Sequence, residues 1–201
     1  IMASGYILAP RVEGTMLAMF IVGKLIGRVD TRLLIFSGIC LISLALSEMA
    51  KFTIQTSTST MAWTGLLQGF GFGLVFVPLS TTAFSTLKRH LRTEGTALYS
   101  LTRNIGSSIG ISIVVTMLAR NSQINHASLS EHITPYRDVL SSHNLPAALD
   151  LSTISGIVRL NNEIILQASN IAYLNDFKLV MWITLASTPL LLLIRPKPKS
   201  I

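Results

Sequence analysis

Between Lys51 and Lys88 the chain carries no charged side chain. No other feature constrains its fold as strongly. The run from Ala62 to Leu87 would be about 39 Å long as a helix, enough to cross the roughly 30 Å hydrocarbon layer of a bilayer. In lipid every backbone N–H and C=O must be satisfied internally, so a helix is the form open to it. Further apolar runs lie at Gly5 to Gly23, Leu33 to Ser47, Asn104 to Ala119 and Leu179 to Ile194, making five candidate spans. The last two are short, but Arg103, Arg120, Lys178 and Arg195 at their ends can snorkel and extend them. Of the 201 residues, 50% are hydrophobic and only 12% charged, against roughly 25% charged in soluble domains. The expected class is therefore an all-α membrane protein.

The net charge of +7 would suggest nucleic acid, but its distribution argues for topology instead. Ten of the 16 bases, from Lys24, Arg28 and Arg32 through Lys88, Arg89, Arg92 and Arg103 to the tail Arg195, Lys197 and Lys199, fall on one side with only Asp30 and Glu94. The other side is nearly neutral. The positive-inside rule makes the basic loops and the C-terminal tail cytoplasmic, and leaves no reason to expect a nucleic-acid partner. Cys40 is the single cysteine, and His90, His126, His132 and His143 lie at irregular spacing in polar stretches, so no disulfide, metal site or cofactor is expected.

Three regions follow: residues 1–120 with four spans, 121–176 as an outer loop, and 177–201 with the last span and the basic tail. The loop has both charge signs and the turn formers Thr134-Pro135 and Asn144-Leu145-Pro146. From Ile157 onward Val158, Leu160, Ile164, Ile165, Ala168, Ile171 and Ala172 recur at helical spacing, which predicts an amphipathic helix running into the last span.

Helix packing is signalled by Gly65, Gly69 and Gly73 in the third span and by Gly106 and Gly110 in the fourth, G-x-x-x-G steps that let backbones approach closely in lipid. The same stripes suit sliding surfaces, and Pro78 weakens the third helix by removing its bond to the Leu74 carbonyl. The costly feature is Arg11 with Glu13, about 20 Å and 16 Å from Lys24 along the first span and so inside the hydrocarbon zone. Each charge there costs at least about 2.5 to 3.5 kcal/mol and must face a cavity or a partner. Two residues apart on a helix, they point about 200° apart and each needs its own partner, unless Pro10 and Gly14 interrupt the helix as they do in binding sites near a bilayer midplane.

Gly5-Tyr6-Ile7-Leu8-Ala9-Pro10-Arg11, the turn from Gly23 to Arg32, the stretch from Gln68 to Ser80 and the stretch from Leu101 to Gly110 together resemble the major facilitator superfamily. The likeness is to its fourteen-helix drug:proton antiporters of the EmrB/QacA type, and runs nearly end to end. It implies the last five helices of such a protein, from the C-terminal half of the fold, with the N-terminal helices missing. It also implies proton-coupled export of small amphipathic or cationic compounds across the bacterial inner membrane, by alternating access and without enzymatic chemistry. In that reading Arg11 and Glu13 line the central cavity. Arg103 and Asn104, one turn into the fourth span, serve the inner gate or a polar contact between helices. Gly23, Gly27, Arg28 and Asp30 match the cytoplasmic gating loop, although a tight basic turn accounts for the same residue types. Members of tripartite pumps imply a periplasmic adaptor and an outer-membrane channel as partners of the outer loop. Val12 and Glu13 depart from the family's glycine and apolar residue after Pro-Arg, which leaves the role of Glu13 open. Two other classes remain: an exporter of a metabolite or siderophore with this architecture, and a non-transporting membrane subunit or decayed remnant.

Overall fold

A computed structural model of the chain describes residues 2–85, 87–131 and 154–193. They form α1 (Met2–Leu25), α2 (Thr31–Met49), α3 (Thr58–Ser85), α4 (Arg92–Glu131) and α5 (Ile154–Ala186), with 3-10 segments at Arg89–Leu91 and Thr188–Leu193. The fold is all-α; among the described residues the one β-like pairing is the isolated bridge between Ile26 and Val29. By length and composition, α2, α3 and α4 are able to cross a membrane. The chain divides into two compact units, Ile1–Ser108 with Phe177–Ile201, and Ile109–Asp176.

In the first unit α3 packs against both α1 and α2. Its alternating glycines explain how one helix serves two neighbours. Gly69 and Gly73 face α1, where a Cβ at Gly69 would overlap the Arg11 carbonyl oxygen and one at Gly73 would come within 2.6 Å of the Ala18 Cβ. Gly71, two residues from each and so on the other side of the helix, meets α2. There a Cβ at Gly38 would stand 2.7 Å from the Gly71 carbonyl oxygen. Gly14 completes the α1 seam against the Leu66 carbonyl. Thr15 Oγ1 lies within donating distance of the Arg11 carbonyl (2.9 Å) and of the Gly69 carbonyl (3.1 Å), a polar stitch between α1 and α3. Ala18, Val22, Leu34 and Leu74 close the apolar core.

Pro10 and Pro78 sit inside continuous helices, so of the two alternatives for Pro10 and Gly14 the regular helix is the one found: α1 is helical from Met2 to Leu25. A proline deletes one hydrogen bond, and flanking turns packed as tightly as these hold the helix through it. Pro78 is fully buried, and its carbonyl accepts from the hydroxyls of Thr81 (2.9 Å) and Thr82 (2.8 Å).

The apolar runs misjudge two helix lengths. The 16 residues expected of the fourth span sit within a 40-residue α4, because the polar flanks Arg92–Arg103 and Arg120–Glu131 contain no proline and only one glycine, Gly95. An apolar run reports lipid thickness, whereas helix length reports where the helix breakers are. The last expected span behaves oppositely. α5 ends at Ala186, and Pro189 directs the remaining apolar residues into a 3-10 segment.

In the second unit the segment expected as an outer loop is helical where described, since residues 121–131 belong to α4 and 154–175 to α5. The amphipathic helix does run on into the final apolar stretch. Its buried side is Gly156, Ile164, Ala168, Ala172 and Asp176, a four-residue ladder, while Val158, Ile165 and Ile171 face outward. Links between α4 and α5 include Ser122 Oγ with Ser169 Oγ at 3.5 Å and His126 Nε2 with Asn161 Oδ1 at 3.3 Å. The turn formers Thr134-Pro135 and Asn144-Leu145-Pro146 and the tail from Arg195 to Lys199 lie outside the described residues.

Candidate substrate pathway

α1 places Arg11 and Glu13 on its exposed surface, away from the seam that Gly14 and Ala18 bury against α3. Among the described residues neither has an ion-pair partner; the one ion pair found there joins Lys51 to Glu48 at 2.7 Å. The Arg11 backbone is nevertheless fixed, because its carbonyl is pressed against Gly69 and sits within reach of the Thr15 hydroxyl. The side chain thus projects from one of the most closely packed points of the bundle.

Arg103 is placed more deeply than the ends of the apolar runs suggest. Its guanidinium carbon lies 5.5 Å from the ring centre of Phe76. Phe76 is nine residues before Ser85, about 14 Å along a helix of some 42 Å. Phe76 in turn stacks on Phe72, with ring centres 5.9 Å apart and an interplanar angle of 14°. Asn104 is exposed beside Arg103.

At the α1–α2 turn Gly27 has φ +93°, a left-handed conformation that glycine adopts without a Cβ clash. The Arg28 N–H bonds the Leu25 carbonyl at 3.0 Å, and the Asp30 carbonyl accepts from Leu33 at 3.0 Å to start α2. Arg28 and Asp30 are exposed and form no ion pair with each other, and a Cβ at Gly23 would meet nothing within 4 Å. Arg32 Nη2 donates to the Leu192 carbonyl at 3.4 Å, tying the start of α2 to the final 3-10 segment. On α3, Gly65 is buried like Gly69 and Gly73. On α4, Gly106 and Gly110 face open space.

Gly38 and Gly71 carry no role in the sequence analysis, and Gly14 stands there only as a helix interruption, although the alternation Gly69-Phe70-Gly71-Phe72-Gly73 implies two flat faces on one helix. Asp176, at the end of the 121–176 segment, is a further residue with no role in the sequence analysis. Asp176 is 5% exposed with no hydrogen-bond partner for Oδ1 among the described residues. It precedes the final apolar run, and burial pushes its carboxyl above the ordinary carboxylate range. No group of three metal-ligating side chains occurs among the described residues.

No family model matches the chain. Individual relatives do. The fatty acid resistance protein FarB of Neisseria gonorrhoeae is 27% identical over 135 residues, 67% of this chain and 26% of that protein. The multidrug resistance protein B homolog of Mycobacterium tuberculosis is 34% identical over 130 residues, covering 64% of this chain and 24% of its own length. The multidrug export protein EmrB of Escherichia coli is 28% identical over 117 residues, 58% and 23% respectively. The chain is similar to EmrB-type transporters of the major facilitator superfamily. It spans about a quarter of the length of the curated relatives it matches. The apolar helices α2 to α4 are those of a multi-pass membrane protein.

Proposed function

We propose that the chain is the C-terminal portion of a proton-coupled multidrug exporter of the bacterial inner membrane, working by alternating access with its C-terminal tail in the cytoplasm. Five of its helices cross the membrane in this reading, and residues 121–176 lie outside, positioned to meet a periplasmic adaptor. The observation that carries the reading is α4. A helix of 40 residues, apolar enough to cross a bilayer, has no buried residue. Its small-residue face at Gly106 and Gly110 is open. Such a helix gains little from the bundle it belongs to, which supports further helices of a longer polypeptide as its neighbours. Arg11 supports a cavity: a retained intramembrane cation without a carboxylate among the described residues is a functional residue by default.

The test is Arg11 in the complete polypeptide, reconstituted into vesicles with an imposed proton gradient. Arg11→Lys keeps the charge and loses the planar fork; Arg11→Met removes the charge. Both variants are expected to fold and to lose proton-driven export by about tenfold or more, the loss that one charge-assisted contact brings. Normal export per folded molecule by Arg11→Met overturns the role given to this residue. Absence of export by the unaltered polypeptide overturns the function. The 201-residue chain alone is expected to insert without transporting.

A further inference from the structure

Three buried side chains have a polar atom with no hydrogen-bond partner among the described residues: Ser43 Oγ, Asn125 Nδ2 and Asp176 Oδ1. The first two belong to neutral groups, whereas a carboxyl sheds its charge by holding a proton. Asp176 is 5% exposed, and its Oδ1 is closed off from solvent by the chain's own atoms. A helix from elsewhere in a longer polypeptide therefore does not reach that oxygen while α5 keeps this packing. No Lys, Arg or His among the described residues lies within ion-pair distance of Asp176.

The charged groups nearest to it on the two helices stand apart. Lys178 is exposed, two positions on and so about 200° round α5. Glu163 is 13 positions back, about 20 Å along the axis, and Tyr173 is exposed. On α4, Arg120 is exposed and precedes Ser122, whose hydroxyl meets Ser169, about two turns back from Asp176. Burial, not a neighbouring charge, is what pushes the Asp176 carboxyl up.

Asp176 is also the last rung of the buried ladder on α5, which it shares with Gly156, Ile164, Ala168 and Ala172. Ala168 and Ala172 have no exposed surface, so the seam closes tightly on small side chains and has no room for a hydration shell. An ionised carboxylate needs that shell or a partner, and the neutral acid needs far less. We infer that Asp176 is a proton-binding site that switches the packing of α5: the ladder closes on the carboxylic acid, and its last rung opens when the proton leaves and water draws the carboxylate out. The step makes and breaks one carboxyl O–H bond, and the proton comes from water and returns to it. Because the packed state binds this proton more tightly than the opened one, the packing is complete at low pH and is lost as pH rises through the titration of the buried group. In the proposed orientation the water concerned is that of the outer face. The switch itself does not depend on what the protein exports.

The complete polypeptide in phosphatidylcholine vesicles is followed by hydrogen exchange of the α5 amides from Leu160 to Asp176, corrected for the intrinsic exchange rate at each pH. Infrared difference spectra are recorded over the same steps, from about pH 4 upward. In the unaltered protein α5 protection is expected to fall by about tenfold or more, the effect of one pH unit of linked titration, as the C=O band of an unbonded carboxylic acid gives way to carboxylate. Asp176→Asn, neutral at every pH and close in shape, is expected to keep its protection throughout and to lack that band. Asp176→Ala, a rung like Ala172, is expected to be equally independent of pH, and serves if the Asn variant does not fold. Protection of α5 that does not change with pH in the unaltered protein overturns the switch whatever the variants do. The same pH-dependent loss in Asp176→Asn or Asp176→Ala assigns it to another group and also overturns it. A carboxylate signal at every pH with α5 still protected shows an ionised, partnered Asp176, which is a third way for the inference to fail. None of these readouts uses export, so the efflux reading stands or falls separately.

Discussion

α3 and α4 carry the same glycine spacing and meet different fates. In α3, Gly69 and Gly73 are pressed against the backbone of α1 so closely that neither has room for a methyl group. In α4, Gly106 and Gly110 have nothing within 4 Å of where a Cβ would stand. The motif fixes how near another helix is able to come, not which helix does so. α3 finds its neighbours inside this chain, and in the proposed reading α4 is the surface for neighbours beyond it.

The largest effect expected from this contrast is at Gly69. Gly69→Leu forces a side chain into the Arg11 carbonyl, a backbone atom that has no way to swing aside. It should destabilise the bundle by about 3 kcal/mol or more, at or above the usual upper end for overpacking. Fluorescence-detected size-exclusion chromatography of the 201-residue chain should show the monodisperse peak lost. Gly106→Leu in the same chain should leave that peak unchanged, yet lower the yield of folded complete polypeptide. Equal tolerance of Gly106→Leu in both would remove the case for an outside partner on α4.

A sharper test uses the two ends of α3. In a Cys40→Ser background, Gln55→Cys should react with an impermeant thiol reagent applied to intact cells, whereas His90→Cys should react only after permeabilisation. The opposite labelling pattern would invert the orientation on which the inner and outer assignments rest.

The smallest effect concerns Asp176 on α5, whose Oδ1 is buried with no hydrogen-bond partner among the described residues. The Asp176 carboxyl has a raised pKa in the folded chain, so the folded state binds its proton more tightly than the unfolded state does. Stability should fall as pH rises from the ordinary carboxylate value, about 3.9, toward the folded value, and level off above it. Asp176→Asn should flatten that fall and raise the melting temperature above the window. An unchanged pH profile would show that the carboxylate has a partner.

Much of this architecture is legible in residue order. The uncharged run from Lys51 to Lys88 dictates a membrane helix because lipid offers backbone groups no alternative partner, and the ladder that includes Ile164, Ala168 and Ala172 dictates a helix with one buried side. The glycines at 69, 71 and 73 even encode two faces. Other properties are set by atoms distant in sequence. Helix ends follow proline and packing, not hydropathy, which is why α4 outruns its apolar core and α5 stops short of its own. Whether Pro10 breaks α1 depends on the turns around it being held, and the Gly14–Leu66 and Gly69–Arg11 contacts hold them. The depth of Arg103 was invisible from its place at the edge of an apolar run, because depth is measured against a neighbouring helix. The ring of Phe76, 27 positions earlier in the chain, supplies that measure. Local composition fixes which groups water or lipid will accept, whereas contact between helices fixes which of those groups meet, and a pair such as Arg103 and Phe76 exists only through that contact.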